Sequence, residues 1–215
     1  MSWHQTQNKE YLDSCLKRMG GPVLTWVEQS IEILEPFFKT SKDINDIGCN
    51  VGQFLKGLKE KKIKIEYTGY DLEPIYLKNA RRLFPKNNFR HLNIGIEYPL
   101  QADISISSAT IEHLDKLRPG LDNILKSTKK VVLIRTFLGE KSGKDMMTKK
   151  GSRSYPINQY SFSEILPVFN KHGFTTTVIR DRHTDSMPKY IANEVNPIQS
   201  MIRTQYVILG IKIKK

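Results

Sequence analysis

The chain has 215 residues, of which 39% are hydrophobic and 26% charged, enough apolar material for one buried core and too little length for two ordinary domains. The polar opening at 1–10 and the lack of any apolar run near the roughly 18 residues that cross a bilayer exclude a signal peptide and a membrane span, so a soluble cytoplasmic protein is expected. Two cysteines, Cys15 and Cys49, exclude a disulfide framework, and a formal net charge of +12 favours polyanions without choosing among nucleic acid, phosphorylated metabolites and acidic glycans.

In chain order, helical patterns at 9–18 and 24–38 precede any strand, so 1–40 reads as a helical cap over one end of a sheet. A strand at 44–47 then turns through Asp46-Ile47-Gly48-Cys49-Asn50-Val51-Gly52-Gln53-Phe54 into a helix at 52–61. Glycines there let a ligand approach the backbone closely, and asparagine is the residue after glycine that best tolerates a positive φ. The next strand, 63–70, ends in Asp71, where a carboxylate can accept hydrogen bonds from both ribose hydroxyls. A dinucleotide fingerprint requires a further glycine where Gln53 stands. Without that close approach to a pyrophosphate, and with Asp46 acidic, the turn favours a cofactor bearing a positive ammonium and no phosphate. S-adenosylmethionine has that chemistry.

A helix at 74–84, strands at 89–94 and 103–107, a helix at 112–127 and a strand at 130–136 follow. This alternation predicts an α/β protein whose first five strands are parallel. The basic, glycine-bearing stretch 139–158 is too long for an ordinary connection and reads as a lid insertion. A helix at 161–172 opens on a Ser161 cap with Glu164 three residues on and closes at Gly173. Strands at 175–182 and 206–213 are joined by about 20 residues holding Pro188 and Pro197 but no long helix, which suits an antiparallel closing pair.

On these residues the sequence resembles the class I S-adenosylmethionine-dependent methyltransferase family, in the family's order over 44–174. Asp46 to Gly52 resembles the first motif, and Tyr70-Asp71-Leu72 the second, in which the acid holds the ribose. Asn93-Ile94 falls where the family often places Asp and an apolar residue against the adenine. Asp103 to Leu114, ending Ser107-Ser108-Ala109-Thr110-Ile111-Glu112-His113-Leu114, resembles the fourth-strand motif. Tyr160 to Phe174 resembles the late helix and turn of the small-molecule and sugar branch. The resemblance implies a Rossmann-like methyltransferase fold: a seven-stranded, mostly parallel sheet, its last strand antiparallel and inserted beside the fifth, with helices on both faces and 1–215 forming a single domain. It places the cofactor on Asp46, Gly48, Cys49, Asn50, Gly52, Asp71, Leu72, Asn93 and Ser108.

Methyl transfer to a hydroxyl needs alignment and removal of a proton. His113, just past the fourth strand, is the candidate base, since imidazole exchanges protons near neutral pH. Glu112 either orients the motif or contacts substrate, or else faces solvent in the first turn of its helix, where it would favour the helix dipole. Arg180 and Arg182, alternating at the end of the sixth strand, together with Lys141, Lys144, Lys149, Lys150 and Arg153, suit the phosphate or carboxylate of a small anionic substrate such as a sugar or glycan precursor. RNA methylation and a methyltransferase-like binding subunit without turnover are the other readings.

Overall fold

The computed structural model describes residues 9–144, 156–185, 190–191, 201–202 and 204–213. In chain order the elements are helices α1 (Lys9–Met19) and α2 (Thr25–Phe38), β1 (Asp43–Ile47), α3 (Gln53–Glu60), β2 (Glu66–Asp71), α4 (Pro74–Leu83), β3 (Asn88–His91) and β4 (Ala102–Ser108). A 3₁₀ turn (Ile111–His113), α5 (Leu117–Ser127), β5 (Thr128–Gly139), β6 (Tyr160–Ser161) and α6 (Phe162–Lys171) follow. The rest are β7 (Phe174–Arg180), the one-turn α7 (Arg182–Asp185), β8 (Tyr190–Ile191), β9 (Met201–Ile202) and β10 (Gln205–Lys212). The sheet runs β3-β2-β1-β4-β5-β10-β7, with β6 attached to β5 and a separate β8-β9 pair. β1 to β5 are parallel. β10 is antiparallel to both neighbours, so its first residues share an edge with the last residues of the parallel strands.

Alternating side chains in each strand feed two cores. On one face Ile44, Ile104, Ile106, Val131 and Leu133 lie under Val27, Ile31 and Leu34 of α2 and Phe54, Leu55 and Leu58 of α3. On the other, Ile47, Val132, Ile134 and Ile208 lie under Leu121, Ile124 and Leu125 of α5 and Ile165 and Phe169 of α6. Each such side chain contributes roughly 1.5–3 kcal/mol when withdrawn from water, so the central strands are fixed by helices on both sides. α6 begins as its sequence predicts, with the Ser161 hydroxyl accepting the Glu164 N–H at 3.1 Å.

Three of the boundaries that differ from the sequence reading bear on the site. The expected helix 112–127 is broken: Arg118, preceding Pro119, is extended (φ −102°, ψ 144°), because the proline ring disfavours helical geometry in the residue before it. Glu112 and His113 therefore sit on their own 3₁₀ turn rather than in the first turn of α5. β3 stops at His91, where its pairing with Asp71 of β2 ends, so Asn93 and Ile94 lie beyond the strand. β7 stops at Arg180, whose partner Tyr206 stands one residue inside β10, so Arg182 enters α7 instead of extending the strand. Within the expected lid 139–158, residues 145–155, including Lys149, Lys150 and Arg153, lie outside the described residues, as do Pro188 and Pro197. No described helix is long and apolar enough to cross a membrane.

Candidate active site

β1 brings Asp46 to the carboxyl edge of the sheet, and the chain leaves it through Gly48 (φ 78°), Asn50 (φ 51°) and Gly52 (φ 92°) before entering α3. Gly48 and Cys49 N–H groups both donate to the Tyr70 carbonyl, at 2.8 and 2.9 Å. A side chain on Gly48 would also collide with that of Thr110, whose hydroxyl lies 3.2 Å from both the Ile47 and Ser108 carbonyls. The turn after β4 is thus seated directly on the glycine turn after β1. Cys49 is a buried thiol outside any disulfide, and its Sγ lies 3.6 Å from the Asn50 carbonyl.

Two carboxylates converge there. Asp71 at the end of β2 accepts the Asn50 N–H on Oδ2 at 2.8 Å and the Glu73 N–H on Oδ1 at 2.9 Å. Asn50 in turn accepts the Val51 N–H on its own Oδ1, which holds the left-handed turn closed. Asp46 is buried and accepts the Tyr67 hydroxyl on Oδ2 at 2.7 Å. Burial pushes the Asp46 carboxyl up to about 7, opposed by the Tyr67 hydroxyl and reinforced by the charge of Asp71. Burial likewise pushes Asp71 up to about 6 against the Glu73 and Asn50 N–H groups. Two buried acids held near neutrality, beside a turn that admits close backbone approach, suit an organic cation with adjacent hydroxyls. S-adenosylmethionine fits this set.

The linkage has a definite sign. A native carboxyl raised above its unfolded value binds more protons folded than unfolded, so these two groups make the ligand-free protein less stable as pH rises from about 4 to 7. A bound cation favours the ionised carboxylates, so cofactor affinity should rise over about pH 5 to 8, by at most about tenfold per unit for each group. Calorimetric titration with S-adenosylmethionine in buffers of different ionisation heat reads both the affinity and the released protons. A flat profile with no proton release would remove these carboxyls from the cofactor contacts.

The remaining expected residues are placed as follows. Leu72 is half-buried next to Asp71. Asn93 is half-buried, and its Oδ1 accepts the Gly95 N–H at 3.0 Å, capping the turn after β3. Ser108 ends β4, 3.4 Å from an Arg135 Nη1. His113 is half-buried, with Nδ1 2.9 Å from the Pro156 carbonyl. Glu112 does not face solvent: it is 1% exposed and accepts the Thr136 hydroxyl and the Gln205 side-chain amide, each at 3.0 Å. Its carboxylate joins the turn to β5 and β10.

Arg180 and Arg182 do not share one face of a strand. The Arg180 side chain is 71% exposed and 3.7 Å from Asp185, while Arg182 forks onto Glu32 of α2 at 2.7 and 3.2 Å. Sequence reasoning missed Tyr67, Thr110 and a buried pair at the same edge. Arg135 of β5 donates to Asp181 through Nε and Nη2 at 2.7 and 2.8 Å, and its guanidinium stacks 5.8 Å from the Trp26 ring centre. The signal was present in Val131-Val132-Leu133-Ile134-Arg135: a charge at the end of a buried apolar run needs a partner. Among the described residues no cluster of three or more His, Cys, Asp or Glu is gathered for a metal ion.

Residues 45–130 match the methyltransferase domain family. No curated protein matches the sequence significantly. Among solved structures, magnesium protoporphyrin IX methyltransferase from Synechocystis PCC 6803 with bound S-adenosylmethionine is 9% identical, with 96% of this chain and 92% of that one covered at a TM-score of 0.61. A TehB-like S-adenosylmethionine-dependent methyltransferase from Corynebacterium glutamicum is 16% identical over 96% of this chain and 100% of that one, TM-score 0.61. DesVI from Streptomyces venezuelae is 11% identical over 96% and 99%, TM-score 0.62. At these identities the likeness is one of fold.

Proposed function

We propose, because this chain is a class I S-adenosylmethionine-dependent methyltransferase, that it methylates an oxygen of a small anionic acceptor such as a sugar or glycan precursor, with His113 as general base. The observation that carries this reading is the 2.9 Å contact between His113 Nδ1 and the Pro156 carbonyl. A carbonyl only accepts, so that nitrogen bears the proton, and a neutral imidazole then carries its lone pair on Nε2. His113 lies three residues beyond Thr110, the residue seated on the cofactor turn.

When bound, S-adenosylmethionine would supply an electrophilic methyl carbon on a sulfonium whose sulfur keeps the C–S electron pair. Asp46 and Asp71 would hold the cofactor by its ammonium and ribose, with Gly48, Asn50 and Gly52 giving backbone access and Leu72, Asn93 and Ser108 lining its path. As the acceptor oxygen bonds to carbon, its proton passes to His113 Nε2, leaving a neutral ether and an imidazolium that returns the proton to water. Exposed Lys141, Lys144 and Arg180 at the same edge support an anionic acceptor. Buried free cysteines fit a reducing, cytoplasmic setting.

The test is transfer of labelled methyl from S-adenosylmethionine to a panel of phosphorylated and nucleotide-linked sugars, repeated with His113→Gln. Turnover should fall about 10²-fold with unchanged affinity for S-adenosylhomocysteine. Parent-rate turnover in the variant removes His113 as base, and label appearing only in RNA overturns the small-molecule acceptor.

A further inference from the structure

The turn that carries His113 is a single 3₁₀ turn, whose internal hydrogen bonds are poorer than those of an α-helix, so contacts from outside add to its support. That support comes from one short segment, 156–160, and from the sheet beneath. The Tyr160 hydroxyl donates to the Ile111 carbonyl at 2.7 Å. The Asn158 N–H donates to the Glu112 carbonyl at 2.8 Å, and the Asn158 side-chain amide donates to the Leu114 carbonyl at 2.7 Å. Pro156 supplies the carbonyl that faces His113 Nδ1. From below, the Glu112 carboxylate is tied to Thr136 and Gln205. Each residue from Ile111 to Leu114 is therefore held, and Asn158, itself buried, bonds on both sides of the histidine.

We propose that Asn158 is a positioning residue that fixes the tautomer of His113. Its main-chain N–H ties Glu112 to the segment that begins at Pro156, and its side-chain amide adds the tie to Leu114 that keeps the Pro156 carbonyl opposite Nδ1, so the ring proton stays there and the lone pair stays on Nε2. Without that register the carbonyl leaves the ring plane, and the proton distributes over both nitrogens. The cost is then chemical rather than structural: only part of the imidazole population has an acceptor nitrogen toward the substrate.

This inference rests on the assignment of His113 as base, and its test is read without turnover. Nitrogen NMR of the full chain labelled with ¹⁵N-histidine should show His113 with a protonated Nδ1 and an unprotonated Nε2 in the parent, and a mixture of both forms in Asn158→Ala. In the same variant kcat should fall about tenfold, with KM for S-adenosylmethionine unchanged. A parent protein with the proton on Nε2 overturns the proposal before any variant is made, and so does an unchanged tautomer in folded Asn158→Ala. His113→Gln with full activity would sink the base assignment instead, leaving the tautomer measurement as it stands.

Discussion

Asp71→Ala is expected to weaken the binding of S-adenosylhomocysteine by two orders of magnitude or more. Asp71 is built into the turn before any ligand arrives, since both of its oxygens already organise backbone N–H groups, those of Asn50 and Glu73. In the proposed binding mode its loss removes the acceptors for two ribose hydroxyls. Hydrogen bonds to a charged group contribute about 1.5–3 kcal/mol each, so two of them amount to about 3 kcal/mol or more. It also frees the Asn50 N–H that helps hold a left-handed residue (φ 51°). Calorimetric titration of folded Asp71→Ala is the measurement. An affinity within about threefold of the parent, well under 1 kcal/mol, would mean that Asp71 serves the turn and not the cofactor.

A second large effect is expected on stability rather than on binding. Asp181→Ala should lower the unfolding free energy by about 3–5 kcal/mol, because it strands the Arg135 guanidinium in a dry site. Arg135 is 4% exposed and Asp181 is fully buried, and Asp181 also caps the Thr184 N–H and accepts its hydroxyl, each at 2.8 Å. Burial pushes the Asp181 carboxyl up, but Arg135 and Thr184 outweigh it and hold it below the ordinary carboxylate range. The sign follows: a depressed carboxyl stabilises the protein above its unfolded value, and that stability is lost as pH falls through the lower native value. Denaturant melts at neutral pH should show the whole deficit, and the gap between parent and variant should narrow in acid. An Arg135→Met, Asp181→Leu double variant should recover much of the loss, since no buried charge is left unpaired. If Asp181→Ala costs less than about 1 kcal/mol, the range of an exposed pair, the site is wetter than its burial indicates.

What the sequence revealed and what it concealed divide along physical lines. The turn from β1 to α3 was legible because its constraints are local: an acidic residue, two glycines and an asparagine within seven positions must do something with positive φ. The Ser161 cap of α6 was legible for the same reason. The partners of Glu112 were not, since Thr136 and Gln205 come from β5 and β10, and only the assembled sheet brings them together. Arg182 was misplaced because strand length depends on the partner: β7 ends where β10 begins to pair, and composition does not mark that point. The break at the start of α5 was available in Arg118-Pro119 but was outweighed by the helical pattern around it.

The position of β10 also bears on how the chain reaches this structure. β10 follows β7 in sequence yet lies between β5 and β7, with Gln205 against Phe137 and Ile211 against Val131. Until residues 205–212 are in place, β5 keeps one unpaired edge and β7 has no neighbour in the sheet. Closing a ladder between such distant segments is slow, because the loop entropy is lost before the contacts form. An intermediate with an open apolar edge at Val131 to Ile134 is a template for the same edge in another chain. Refolding yield should therefore be set by the race between insertion of one strand and collision of two molecules, and so by protein concentration more than by the strength of the finished core.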